Sequence, residues 1–136
     1  MKSYIPNSPE ATARVIVMMM VTDAHVDNRE VAVLDSLKAY DTIGISRDDF
    51  MRVARGYCSQ LVEEAADSGE VSLVDPSRTD AVIDFVEVRA KRLIVAKLLL
   101  AVLNADLEHD QFELILFEHI LDRWNLTRED VLAATL

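Results

Sequence analysis

The stretch Asp23-Ala24-His25-Val26-Asp27-Asn28-Arg29-Glu30 has a counterpart in Asp106-Leu107-Glu108-His109-Asp110-Gln111-Phe112-Glu113. Both stretches read D-x-x-x-D-x-x-E, and each follows an apolar run, Val15 to Val21 in the first and Leu98 to Leu103 in the second. A repeated unit would determine how the whole chain is organised, so an internal repeat is the first hypothesis to test.

The two stretches align when Asp23 is paired with Asp106, and the same offset pairs Leu34 with Phe117 and Leu37 with Ile120. The register then changes by two positions, and segment 45–50 matches segment 126–131 in residue type throughout. We therefore predict two copies of one three-helix unit, covering about 9–67 and 76–135, within a single domain that spans 1–136.

Composition agrees with an ordered, all-α protein of one domain. The chain has 136 residues, of which 51% are hydrophobic, with only three Gly and three Pro, and this length suffices to bury a core. No segment alternates apolar and polar residues as a half-buried strand would, so we predict six or seven helices and no sheet. Cys58 is the only cysteine, which excludes an intramolecular disulfide and favours a reducing compartment.

The charge balance points to the kind of partner. Fourteen Lys and Arg residues against twenty-four Asp and Glu residues give a net charge of −10. Such a chain repels phosphate backbones and anionic lipid, so nucleic acid is not an expected partner, whereas cations and basic protein surfaces are favoured. The apolar runs are shorter than the roughly 20 residues of a membrane-spanning helix, and Glu10 and Arg14 interrupt any secretory signal. We expect a cytoplasmic protein without direct membrane insertion.

Local signals place the first three helices. Ser8 and Pro9 are a typical N-cap and first helical residue, and the first helix should run to about Asp23 with its methionines in the core. The second helix should begin at Asp27 and end at Gly44, after which a third starts behind Ser46. Gly56, inside the third helix, suggests a close helix crossing there.

The second half of the chain holds the remaining helices. Residues 66–75 read as a linker, and a long fourth helix should extend from 76 to about 104, with Arg89–Arg92 as the candidate position for a break. The fifth helix should begin at Asp110 and be more buried than its partner in the first half. Thr127 should cap a short last helix. The apolar residues assigned to the fifth helix are Leu114, Ile115, Leu116, Phe117, Ile120, Leu121 and Trp124.

An apolar helix followed by D-x-x-V-D-x-x-E, an amphipathic helix and an I/L-S/T-x-x-D restart resembles the TerB-like family of tellurite-resistance proteins, over about Pro9 to Leu132. The resemblance implies a helical bundle with internal pseudo-two-fold symmetry and a stress-response role. It also implies that the acids of both halves approach one another as a metal-binding cluster. Ala24 and Leu107 stand where the family usually has Gly. The implied ligands are Asp23, Asp27, Glu30, Asp106, Asp110 and Glu113.

Three interpretations of these carboxylates remain open. Asp27 with Glu30 and Asp110 with Glu113 have the spacing of a capping box, which would explain them through helix capping alone. Converging carboxylates would instead favour Ca²⁺, Mg²⁺ or Mn²⁺, with His25 and His109 as candidate nitrogen ligands for a transition metal. The acidic residues could also dock a basic segment of a protein partner.

Catalysis is not expected. The sequence has no Gly-rich phosphate loop, no nucleophile with an adjacent base and no His-rich metal motif. The expectation is therefore a non-enzymatic module that binds a divalent cation, with a helical protein-interaction domain as the alternative.

Overall fold

A computed structural model describes residues 5–21, 28–68, 76–105 and 111–134, and this part of the chain is entirely helical apart from its turns. The all-α prediction is confirmed. The described residues form eight helices rather than six or seven, because two segments predicted as continuous are each divided. The helices are α1 Pro9–Met20, α2 Asn28–Ser36, α3 Ala39–Ile43, α4 Arg47–Ser68, α5 Pro76–Ile83, α6 Arg89–Asn104, α7 Gln111–Arg123 and α8 Arg128–Ala133.

The core is organised around α1 and α6, which pack against each other. Every residue of α1 from Ala11 to Met20 is buried, so the prediction that its methionines pack in the core is confirmed. As predicted, α1 begins at Pro9, with the Ser8 Oγ accepting a hydrogen bond from the Ala11 N–H at 3.2 Å. It ends at Met20, three residues earlier than expected. No helix in the described ranges is long and apolar enough to cross a bilayer.

The predicted second helix is divided at Lys38, whose backbone is left-handed with φ 54°. A left-handed residue other than Gly costs about 1 kcal/mol, and it ends the helical hydrogen-bond pattern of α2. The chain then restarts as α3, which buries Ala39 and Tyr40. Leu37 lies in this turn with 39% of its surface exposed, so pairing it with the core residue Ile120 was wrong.

Gly44 ends α3 in the left-handed conformation with φ 80°, as predicted, and the Ser46 Oγ accepts from the Asp49 N–H at the start of α4. The inner face of α4 is buried at Phe50, Val53, Ala54, Tyr57 and Leu61. The prediction of a close helix crossing at Gly56 was wrong, because a Cβ added to Gly56 would have no atom within 4 Å. α4 also extends to Ser68, into the expected linker, whose residues 69–75 lie outside the described ranges.

The long fourth helix is divided between Ile83 and Arg89, before the position suggested by the sequence. Contacts from distant parts of the chain hold this break. The Trp124 Nε1–H donates to the Ile83 carbonyl at 3.1 Å, which satisfies an acceptor at the end of α5. The Asn7 Oδ1 accepts from the N–H groups of Glu87 and Val88 at 2.8 and 2.9 Å, and so caps α6 where Val88 has no capping side chain.

The fifth predicted helix is α7, which begins at Gln111. Its predicted apolar face is too wide, because Leu114 and Ile115 are exposed while Phe117, Ile120, Leu121 and Trp124 are buried. Asn125 then adopts the left-handed conformation with φ 56°. The capping box of Thr127 and Asp130 at the start of α8 is confirmed, with both reciprocal hydrogen bonds present.

Candidate functional site

The structure describes two of the six proposed metal ligands. Glu30 lies in the first turn of α2 and Glu113 in the first turn of α7, each at the third helical position. A carboxylate at this position is favoured by the positive end of the helix dipole. Asp23, Asp27, Asp106 and Asp110 lie outside the described residues, as do His25 and His109.

Both glutamates are buried inside the fold. Glu30 is 1% exposed and Glu113 is 6% exposed. Acids in the first turns of other helices behave differently, since Asp48 in α4 and Glu129 in α8 are exposed. Burial of a carboxylate costs several kcal/mol unless charge or hydrogen bonds compensate it, whereas a capping carboxylate can remain in water. Glu30 and Glu113 therefore differ in burial from these exposed acids.

The burial follows from the helical period. Glu113 lies four residues before Phe117, and Glu30 lies four residues before Leu34, so each glutamate extends a buried stripe by one turn. Ile115, two residues after Glu113, points to the opposite face and is 55% exposed. α2 and α7 thus each direct inward the glutamate that ends the acidic stretch.

A second polar region was not predicted from the sequence. Arg14 in α1 and Arg78 in α5 are both buried. The Arg14 guanidinium donates to the Gln60 Oε1 at 2.8 Å, the Gln60 amide donates to Glu64 at 3.4 Å, and Glu64 forms an ion pair with Arg78. The sequence does contain one indication of this region, because the charged Arg14 directly precedes the apolar run Val15 to Val21, which belongs to the core.

Tyr57 lies beside this chain of polar groups. Burial raises the pKa of its hydroxyl, and the neighbouring positive charges of Arg78 and Arg14 act in the opposite direction. The hydroxyl therefore remains protonated at neutral pH and can donate a hydrogen bond.

A third group of charges joins α5 to α7. The Arg123 guanidinium binds Asp84 through two hydrogen bonds of 2.8 and 2.9 Å and also lies 3.4 Å from Asp80. The His119 Nε2 is 2.8 Å from the second oxygen of the Asp80 carboxylate. Hydrogen bonding to Arg123 lowers the pKa of Asp84. These partly exposed contacts hold the two helices together.

Within the described residues, His, Cys, Asp and Glu side chains form no group of three that could hold a metal ion. The four aspartates of the acidic stretches are not among these residues. Comparison of the chain with protein-family models, curated proteins and solved structures gave no match.

Proposed function

We propose that this chain is a non-enzymatic helical module that binds a divalent cation through its two D-x-x-x-D-x-x-E stretches. The observation that carries the proposal is the burial of Glu30 and Glu113, which hold the same position in the two stretches. A cation bound between the stretches would place a positive charge beside both carboxylates, which favours their ionised form. Oxygen ligands of this kind favour Ca²⁺, Mg²⁺ or Mn²⁺.

The order of the helices supports a relation between the two halves. α2 begins at Asn28 and α7 begins at Gln111, which are paired by the same offset as Asp23 and Asp106. α4 begins at Arg47 and α8 begins at Arg128, which are paired by the offset that applies after the change of register. The spacing between these two helix starts is therefore two residues shorter in the second half than in the first, as it is in the sequence alignment.

The turns and packing agree with this relation. Gly44 and Asn125 are paired by the second offset and are both left-handed, and the next residue of each turn donates its N–H to the carbonyl five residues earlier. α2 packs against α6, and α7 packs against α1 as well as α6, so each of these two helices contacts the central helix of the other half. This reciprocal packing favours a pseudo-two-fold arrangement of the TerB-like kind.

A stress-response role of the TerB-like kind is part of the proposal, and it rests on the resemblance of the acidic stretches. The alternative is a protein-interaction domain that uses the same end of α7. Leu114 and Ile115 follow Glu113, the last residue of the second acidic stretch, and both are exposed. A partner segment with apolar and basic residues would complement that surface.

Thermal unfolding of the chelator-treated protein with added Ca²⁺, Mg²⁺, Mn²⁺ or Zn²⁺ tests the cation proposal. An ion present at about 100 times its dissociation constant should stabilise the fold by about 2.7 kcal/mol. Glu30→Gln with Glu113→Gln, or Asp23→Asn with Asp106→Asn, should abolish the shift.

Asp48→Asn with Glu129→Gln provides the matched control, because these acids also hold equivalent positions at the starts of helices in the two halves but are exposed. The control should retain the shift. A protein whose unfolding temperature responds to none of the four ions would contradict the proposal. Turnover of nucleotides or phosphoesters in the presence of metal would contradict its non-enzymatic part.

A further inference from the structure

A cleft of about 250 Å³ lies between α1 and α4, and none of its lining residues belongs to the acidic stretches. Its deep part is formed by the buried side chains of Arg14 and Tyr57. Its rim is formed by Glu10 and Arg52, which are exposed. Pockets for drug-sized ligands start at about 300 Å³, so this cleft suits a smaller molecule.

The charged side chains of the cleft form two groups along its length. Glu10 precedes Arg14 by four residues of α1, a distance of about 6 Å along the axis. On α4, Asp49 lies toward the start of the helix and accepts a hydrogen bond from Arg52 at 2.9 Å. Gln60 lies nearly three turns further along α4 and accepts from Arg14 at 2.8 Å. Glu10, Asp49 and the Asp49-paired Arg52 therefore lie at one end, and the buried side chains of Arg14 and Tyr57 lie at the other.

Gly56 keeps the cleft open. It is exposed in the interior of α4, where glycine is less favourable than alanine, and a Cβ added there would meet no atom within 4 Å. Helix packing therefore gives no reason for a missing side chain at this position. Gly56 does line the cleft, and a larger side chain would project into its space.

We propose that this cleft binds a small zwitterion of amino-acid size, with its carboxylate at Arg14 and its ammonium group at Glu10. A guanidinium matches the planar geometry of a carboxylate, and Tyr57 can add a hydrogen bond. The net charge of −10 disfavours a simple anion, while the zwitterion has no net charge to be repelled. The proposal is independent of the cation site.

Isothermal titration calorimetry with γ-aminobutyrate, butyrate and n-butylamine tests the assignment, because the three probes share one chain and differ only in their charged ends. γ-Aminobutyrate should bind at least tenfold more tightly than either probe of single charge. Butyrate binding as tightly as γ-aminobutyrate would make this an anion site and overturn the proposal. No heat of binding from glycine, β-alanine or γ-aminobutyrate would overturn it as well.

Gly56→Leu separates ligand binding from folding. Leucine is a better helix former than glycine and its side chain would fill the cleft, so this variant should fold at least as stably and lose at least tenfold in affinity. Ser59→Leu adds a similar side chain to an exposed position of α4 that does not line the cleft, and it should bind as the unaltered protein does. Unchanged binding by a folded Gly56→Leu protein would overturn the assignment.

Discussion

Deletion of Leu37 and Lys38 together is expected to join α2 and α3 into one helix with little loss of stability. The starts of α2 and α7 are related by one offset, and the starts of α4 and α8, beyond this turn, are related by an offset that is shorter by two. Leu37 and Lys38 are therefore the two extra residues of the first half. In the second half, α7 passes through the corresponding position without a break.

The expected loss of stability follows from helix geometry, because each residue turns the chain by about 100° around the helix axis. Deleting Lys38 alone leaves one extra residue, and a continuous helix would then rotate Tyr40 by about 100° away from the core. Tyr40 is 8% exposed, and its ring meets Phe50 edge to face with centroids 5.1 Å apart. Losing its burial and this ring contact should cost about 3 kcal/mol. The double deletion keeps both and also removes left-handed Lys38, which is worth about 1 kcal/mol.

Urea unfolding of both deletion variants, followed by far-ultraviolet circular dichroism, measures the difference. The double deletion should remain within about 1 kcal/mol of the unaltered protein. The single deletion should lose about 3 kcal/mol, or roughly 10 °C in unfolding temperature. A double deletion as damaging as the single deletion would refute the reasoning, because the turn would then be required for its own contacts.

Three further predictions concern single side chains. Asn7→Ala removes the acceptor that caps α6 and leaves alanine at φ 62°, so urea unfolding should show a loss of about 2 kcal/mol, whereas Asn7→Asp should retain most stability. The hydrogen bond from Arg123 lowers the pKa of Asp84 in the folded protein. This ion pair therefore stabilises the fold fully above the unfolded-state pKa of about 3.9, and the stabilisation is lost as the pH falls through the lower pKa of the folded state. Asp84 is half exposed, so Asp84→Asn should cost less than about 1 kcal/mol at pH 7 and progressively less as the pH falls below about 3.9, as urea midpoints across that range will show. Gly56→Ala should raise the unfolding free energy by about 1 kcal/mol, and a loss would indicate packing against α4 at this position.

The parts of the fold that the sequence predicted are set by neighbouring residues. Ser8 with Pro9 begins α1, Gly44 ends α3, and Thr127 with Asp130 begins α8, each through contacts within four residues along the chain. Residue type alone is sufficient at such positions, because the capping groups are adjacent in any helix of that sequence. The all-helical class follows in the same way from the apolar period.

The features that the sequence did not predict depend on residues far apart in the chain. The break before α6 is held by Asn7, which precedes α1, and by Trp124, which directly follows α7. Nothing near Asn7 in the sequence indicates these distant partners. Arg14 and Gln60 are likewise 46 residues apart, so the cleft between their helices has no local signature.

The candidate cation site was predicted by its residue pattern, while the decisive property of Glu30 and Glu113 is their burial. Their spacing to Leu34 and Phe117 places them on the inward stripe of each helix whether or not they bind an ion. Substitution by an apolar side chain distinguishes the two possibilities. If the fold only tolerates these carboxylates, Glu113→Leu should leave the stability of the chelator-treated protein equal or higher, and any response to added cation should persist. If Glu113 is a ligand, the same variant should lose that response while its chelator-treated form remains as stable as the unaltered protein without metal.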